Sequence, residues 1–190
     1  MKDTLSLLYE RKEKSRDRYG KHDRNSAGNG FRCVHCDGFV SSVPGLAGVQ
    51  NRNHCPYCLW SRHLDLHEAG DRLSACKASM RPVGLTIKAA CKKYGPNRGE
   101  LMLIHACEEC KALSINRIAA DDDPHRLINV FEGSLCLDVR LFARLESDRI
   151  KILKALDRDS VYAQLFGHGI ELAEMLFPAC GMESSFAQED

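Results

Sequence analysis

The sequence predicts an α+β fold, a small β-rich domain followed by a helical C-terminal extension. Three observations predict it. Cysteines recur as Cys-x-x-Cys pairs in the first 110 residues, at Cys33/Cys36, Cys55/Cys58 and Cys107/Cys110. Short apolar runs alternate with Pro- and Gly-dense turns up to about residue 120. Beyond Pro124 the apolar positions shift to helical spacing. The chain of 190 residues has room for one medium domain or two small ones.

The order of elements follows from these patterns. Residues 1–30 form a basic arm, partly disordered, with a short charged helix over 2–19 and a linker over 20–30 that lacks apolar periodicity. Residues 31–67 carry the first two cysteine pairs, separated by a loop over 41–51 that contains Pro44, Gly45 and Gly48. A strand is expected over Met80–Ala90 and another over Leu101–Ile104, paired through the turn formers of Tyr94–Gly99. Asp123-Pro124 opens a helix, because the aspartate accepts free amides and proline needs no donor in the first turn. Gly133 is expected to interrupt it, and a longer helix follows from about Leu135 to Leu156. Asp159 or Ser160 caps a further helix from Val161, which breaks at Gly167-His168-Gly169 and ends near Pro178. The domain division is therefore 1–30 arm, 31–123 cysteine-rich domain, 124–180 helical extension and 181–190 frayed tail.

Ten cysteines suggest disulfides in a secreted chain. The first residues, however, hold no apolar stretch of the signal-peptide kind, and no run of about 18 apolar residues suggests a membrane span. Reduced thiolates on a metal, in a cytoplasm, are the expectation. Cys91, Cys136 and Cys180 stand apart from the pairs and are expected to be buried structural residues. The net charge of +1 hides an asymmetry: residues 1–64 carry +5 and residues 129–190 carry −5. A basic head attracts phosphate and an acidic tail does not, although the two ends can also attract each other or be simply solvated.

Cys33, Cys36, Cys55 and Cys58, with eighteen residues between the two pairs, have zinc-ribbon spacing. Four thiolates close a tetrahedral coordination sphere, so such a site is structural. An iron–sulfur cluster is the alternative. A second site is expected from Cys76, Cys107 and Cys110, which makes two Zn²⁺ per chain. Its fourth ligand is assigned to His105, two residues before Cys107 and on the same strand face. His63 is the alternative, with His67 and Cys91 also open.

The run Arg52-Asn53-His54-Cys55-Pro56 resembles the RNHCP domain family, named for that motif. Further pieces agree in order: His63-Leu64-Asp65, Gly70-Asp71-Arg72, Cys76, Met80–Leu85, Gly99-Glu100-Leu101, His105-x-Cys107-x-x-Cys110 and Asn116–Asp122. The resemblance covers about residues 31–123. It implies a small microbial zinc-binding domain without a settled activity. Lys111 departs from the glycine expected after Cys110.

Three functions remain in contention. Nucleic-acid binding, with RNA or a ribosomal particle favoured, would use Arg52, Asn53, His54, Tyr57, Trp60 and Arg62 beside one knuckle and Asn116 and Arg117 after another. Lys12, Lys14, Arg16, Arg18, Lys21 and Arg24 would add nonspecific attraction. Against this, Arg52 and Asn53 can instead cap the knuckle or pair with Asp121 or Asp122, and Trp60 can be core. A protein-interaction adaptor would use the acidic helical tail. A metal-dependent enzyme would use His54, His63, Asp65, Asp71 and Asp121 to Asp123, but no established catalytic or phosphate-binding motif accompanies them. Asp121 to Asp123 are more simply a solvated helix cap.

Overall fold

A computed structural model describes residues 30–68, 70–89 and 99–167. The expected arm lies outside them except Gly30, as do Cys91, Cys180, Tyr94–Arg98 and the tail beyond Gly167. Two compact units divide the chain, one through Leu153 and one from Lys154.

In the first unit, β1 (Gly30–Arg32) and β2 (Phe39–Ser41) form an antiparallel two-stranded ladder with the Cys33/Cys36 knuckle as its turn. The expected 41–51 loop contains one helical turn, α1 (Pro44–Ala47), with Pro44 in its first turn and Gly48 closing it at φ 67°. The main sheet has four antiparallel strands in the order β3 (Ser61–Arg62), β4 (Ser79–Lys88), β5 (Glu100–Cys107) and β6 (Leu113–Arg117). The expected pairing of the two central strands is present, and β5 runs three residues past Ile104 to reach Cys107.

Side chains alternate along a strand, so β5 divides its residues between two layers. Ile104 and Ala106 lie with their β6 partners Ile115 and Leu113 on the apolar layer, packed with Leu137, Leu141, Phe142, Leu145, Ile150 and Ile152. His105 and Leu103 face the other way, opposite Ser114 and Asn116. The ladder slips between Pro82 and Gly84, leaving Val83 as an extra residue of β4. Gly84 leaves room there for Ile152: a Cβ at this position would stand 2.6 Å from Ile152 Cδ1, which would have to move.

Two helical expectations need correction. α2 (Pro124–Ser134) begins at the Asp123 cap as expected, but it continues through Gly133 and ends at Ser134. The helix expected over Leu135–Leu156 is only α3 (Val139–Ser147), capped by Asp138. Arg149 then adopts φ 57°, and Ile152 forms a bridge with Thr86 of β4. Residues 150, 152 and 153 fit a helical stripe, but they also fit an extended segment docked on a sheet, and the contact with β4 decides. The apolar residues from Leu137 to Ile152 thus pack on the sheet.

In the second unit, a 3₁₀ turn at Ala155–Asp157 leads into α4 (Arg158–Phe166), three residues earlier than expected. Asp157 caps the turn by accepting from the Lys154 amide at 2.8 Å. Gly167 ends α4 at φ 80°, where a break was expected. Among the described residues no helix is long and apolar enough to cross a membrane.

Candidate metal centres and their surroundings

Each Cys-x-x-Cys pair folds into the same knuckle. The amide of the first cysteine donates to the carbonyl five residues on: Cys33 to Gly38, Cys55 to Trp60 and Cys107 to Ala112, each at 2.9 Å. The residue after the second cysteine turns left-handed, with φ 57° at Asp37, 62° at Leu59 and 63° at Lys111. Lys111 thus occupies the backbone conformation that glycine takes most cheaply. Knuckle amides also point at sulfur, as from His35 to Cys33 Sγ at 3.4 Å.

Two knuckles face each other across the first site. Cys33 Sγ lies 3.5 Å from Cys58 Sγ, and Cys36 Sγ lies 3.6 Å from Cys55 Sγ. All four sulfurs fall within 4.8 Å of one another. The second site gathers His63 from the end of β3, Cys76 from the loop before β4, and Cys107 and Cys110 from the end of β5. Cys76 Sγ lies 3.7 Å from Cys107 Sγ, and His63 Nδ1 lies 3.2 Å from Cys110 Sγ. These sulfur separations are far beyond the ~2.05 Å of a disulfide. They match the edge of about 3.8 Å that follows from ~2.3 Å metal–thiolate bonds in a tetrahedron. Each cluster can hold one metal ion, and its sulfurs are too close together to span a multi-iron cluster.

The electrostatics ask for a cation. Burial pushes the Cys55 thiol up to about 11, against the amides of Cys58 and Tyr57, and the Cys36 and Cys33 sulfurs push the same way. Burial likewise pushes Cys76 up to about 11, with the Ala78 amide opposing and the Cys107 and Cys110 sulfurs adding. Crowded thiolates repel one another unless a bound ion compensates them. His63 is lowered by burial, with Asp65 opposing and Lys77 assisting, which keeps it in the neutral form that a metal requires.

The histidine that the structure brings together with Cys76, Cys107 and Cys110 is His63, the alternative, in place of the expected His105. His105 does share a strand face with Cys107, but it is fully buried behind the first site. Its Nε2 donates to the Leu59 carbonyl at 2.7 Å, and its Nδ1 accepts from Asn116 Nδ2 at 2.8 Å. Burial and the neighbouring His54 hold His105 down at about 3, so it stays neutral.

The side chains of Arg52, Asn53 and His54 are all largely buried, and each is engaged by an aspartate. Arg52 is 3 % exposed. It donates from Nε to the His54 carbonyl at 3.1 Å, from one terminal nitrogen to Asp121 at 2.7 Å and from the other to Asp122 at 3.0 Å. Asp122 also accepts from His54 Nε2 at 2.7 Å and from the Ala119 amide at 2.8 Å. Asp123 caps α2 and donates its own amide to the Pro56 carbonyl at 3.1 Å. Of the three aspartates only Asp123 is the expected helix cap; Asp121 and Asp122 clamp the second knuckle to the start of α2.

Asn53 donates to Asp65 at 2.7 Å. Asp65 and Asp71 in turn shape the segment between His63 and Cys76. Asp71 accepts four amides, from Leu66, His67, Glu68 and Leu73, at 2.8–3.0 Å. Those bonds, led by the Glu68 amide, hold its carboxyl well below the usual carboxylate range. Of the residues considered for catalysis, His63 lies in the second cluster, His54, Asp121 and Asp122 in the clamp, Asp65 and Asp71 in loop closure, and Asp123 at the helix cap.

The other expected nucleic-acid contacts scatter. Tyr57 is 59 % exposed. Trp60 is half-buried, with the exposed His35 ring stacked on it at 4.2 Å and 8°. Arg62 is half-buried, Asn116 is turned toward His105, and Arg117 pairs with Glu100 at 2.7 Å. The sequence reading missed His35 and Phe39, exposed beside the first knuckle. Only the position of Phe39 three residues past Cys36 hinted at it. Cys136, expected to be buried, is exposed.

The RNHCP domain profile matches residues 28–128, which contain both clusters and the Arg52–Asp122 clamp. No curated protein and no solved structure matches the chain. The match spans more than half of the sequence, and the chain belongs to the RNHCP domain family.

Proposed function

We propose that this chain is a two-zinc domain that binds single-stranded RNA on the rim of its first metal site. Two sets of four donors, Cys₄ and Cys₃His, suit zinc, and neither set leaves a ligand position for water. A reducing, cytoplasmic compartment suits the thiolates.

The observation that carries the binding reading is a pair of exposed rings at that site, Phe39 after the first knuckle and Tyr57 within the second. Phe39 is 57 % exposed and Tyr57 is 59 % exposed. Both rest on glycine backbone: the Tyr57 ring lies over Gly38 and the Phe39 ring over Gly30. Exposed Arg32 is the cross-strand partner of Phe39. Rings mounted on a metal-braced turn lose little freedom when a base stacks on them, and each stacked base contributes about 1–3 kcal/mol. The basic balance of residues 1–64 adds a sequence-independent attraction for phosphate.

Fluorescence anisotropy with short RNA and DNA oligonucleotides tests the reading. We expect salt-dependent RNA binding at ~50 mM salt, weakened at least tenfold in a zinc-loaded Phe39→Ala/Tyr57→Ala variant. Unchanged binding by that variant, or no binding by the wild type, sinks it. In the latter case a protein partner for the same exposed rings becomes the better account.

A further inference from the structure

The geometry points to a second site: the cleft beside β6 takes an amino-bearing nucleobase, adenine, cytosine or guanine, in preference to uracil. Its biological source rests on the RNA reading, whereas its chemistry does not. The cleft has a volume of about 960 Å³ and lies against the 48–54 and 61–68 segments and β6. Asn53 and Asn116 both line it.

Both carboxamides are oriented by groups behind them. The Leu59 carbonyl only accepts, so His105 Nε2, at 2.7 Å, carries the ring proton. His105 Nδ1 is then a bare acceptor, and Asn116 must turn its Nδ2 toward it, at 2.8 Å. Asn116 Oδ1 is the atom left over. Asn53 is set by the same logic, because the Asp65 carboxylate takes its Nδ2 at 2.7 Å. Its Oδ1 is buried and has no protein partner. Two asparagines whose carbonyls cannot flip to become donors therefore line the cleft.

Such a pair selects a ligand by what it lacks. An exocyclic amine supplies N–H groups to carbonyl acceptors, as adenine N6 does to an asparagine Oδ1. The uracil edge presents two carbonyls flanking one N–H, so carbonyl would face carbonyl. One such mismatch is worth about a tenfold difference in affinity. Unstacked bases of single-stranded RNA are read in this way, through hydrogen bonds to their edges.

The test is a nuclear magnetic resonance titration of the zinc-loaded full chain with AMP, CMP and UMP. AMP and CMP should shift the amide signals of Ser114, Ile115 and Asn116 with affinities about tenfold above UMP. Asn116→Ala should bring AMP down to the UMP level while both zinc ions stay bound. Equal responses to AMP and UMP in the wild type overturn the site, as do unmoved β6 signals with every nucleotide. The wild-type comparison decides even if the variant loses metal. AMP selectivity without oligonucleotide binding keeps this cleft and removes the RNA reading. Oligonucleotide binding without mononucleotide selectivity does the reverse.

Discussion

Asp122 accepts from His54 Nε2 at 2.7 Å although 68 residues separate them in the chain. Both side chains are essentially inaccessible to solvent, and Arg52 completes the group from the same side as His54. A buried carboxylate with one cation and one imidazole is compensated only while all three are present. Removing one partner of such a group costs about 3–5 kcal/mol, because a buried charge is left uncompensated. Asp122→Asn should therefore destabilise the zinc-loaded protein by that amount in denaturant unfolding. A loss within ~0.5 kcal/mol, the range of an ordinary surface substitution, would show that the clamp is not closed in solution.

Metal counting separates the two candidate histidines. Elemental analysis should find two zinc ions per chain, falling to one in Cys55→Ser and in Cys107→Ser. His63→Ala should lose the second-site ion, and His105→Gln should keep both. An ion lost with His105 and retained without His63 would reverse the assignment made from the 3.2 Å approach of His63 to Cys110.

Lys111 is the third knuckle's left-handed residue, at φ 63°, and its side chain is exposed and donates to the Glu108 carbonyl. Left-handed backbone costs a residue with a Cβ roughly 1–2 kcal/mol. Lys111→Gly relieves this but loses the lysine bond and gives the unfolded chain more freedom. The expected net result is a gain of up to about 1 kcal/mol in thermal unfolding. Leu59→Gly at the corresponding position of the second knuckle should destabilise instead, because Leu59 is fully buried.

Asp71 predicts a local pH response. Its folded carboxyl titrates below the unfolded value of about 3.9. The unfolded state therefore binds the proton first, and the contribution to stability is present above that value and lost as pH falls through the folded pKa. In a pH titration followed by magnetic resonance, the amides of Leu66 and Leu73 should report a midpoint below 3.9. Asp71→Asn should make the 64–74 segment more sensitive to protease at neutral pH. A midpoint at or above the ordinary value would mean that the carboxylate does not gather these amides.

The sequence by itself determined the first metal site, the Asp123 cap, the β4–β5 pairing and the family. For the knuckles and the cap the information is local: Cys-x-x-Cys spacing closes a knuckle, and Asp-Pro starts a helix with its own atoms. Only the tertiary structure decided the fourth ligand of the second site, the end of the long helical pattern and the role of the Arg52–His54 run. His105 and His63 both satisfy spacing, and the Leu59 carbonyl excludes one while Cys110 selects the other. Ile152 suits a helix or a strand until Thr86 lies beside it. An arginine and a histidine beside a knuckle look the same in sequence whether they meet a phosphate or a buried aspartate. The aspartate that claims them lies about 70 residues away and reaches them only once the chain has folded.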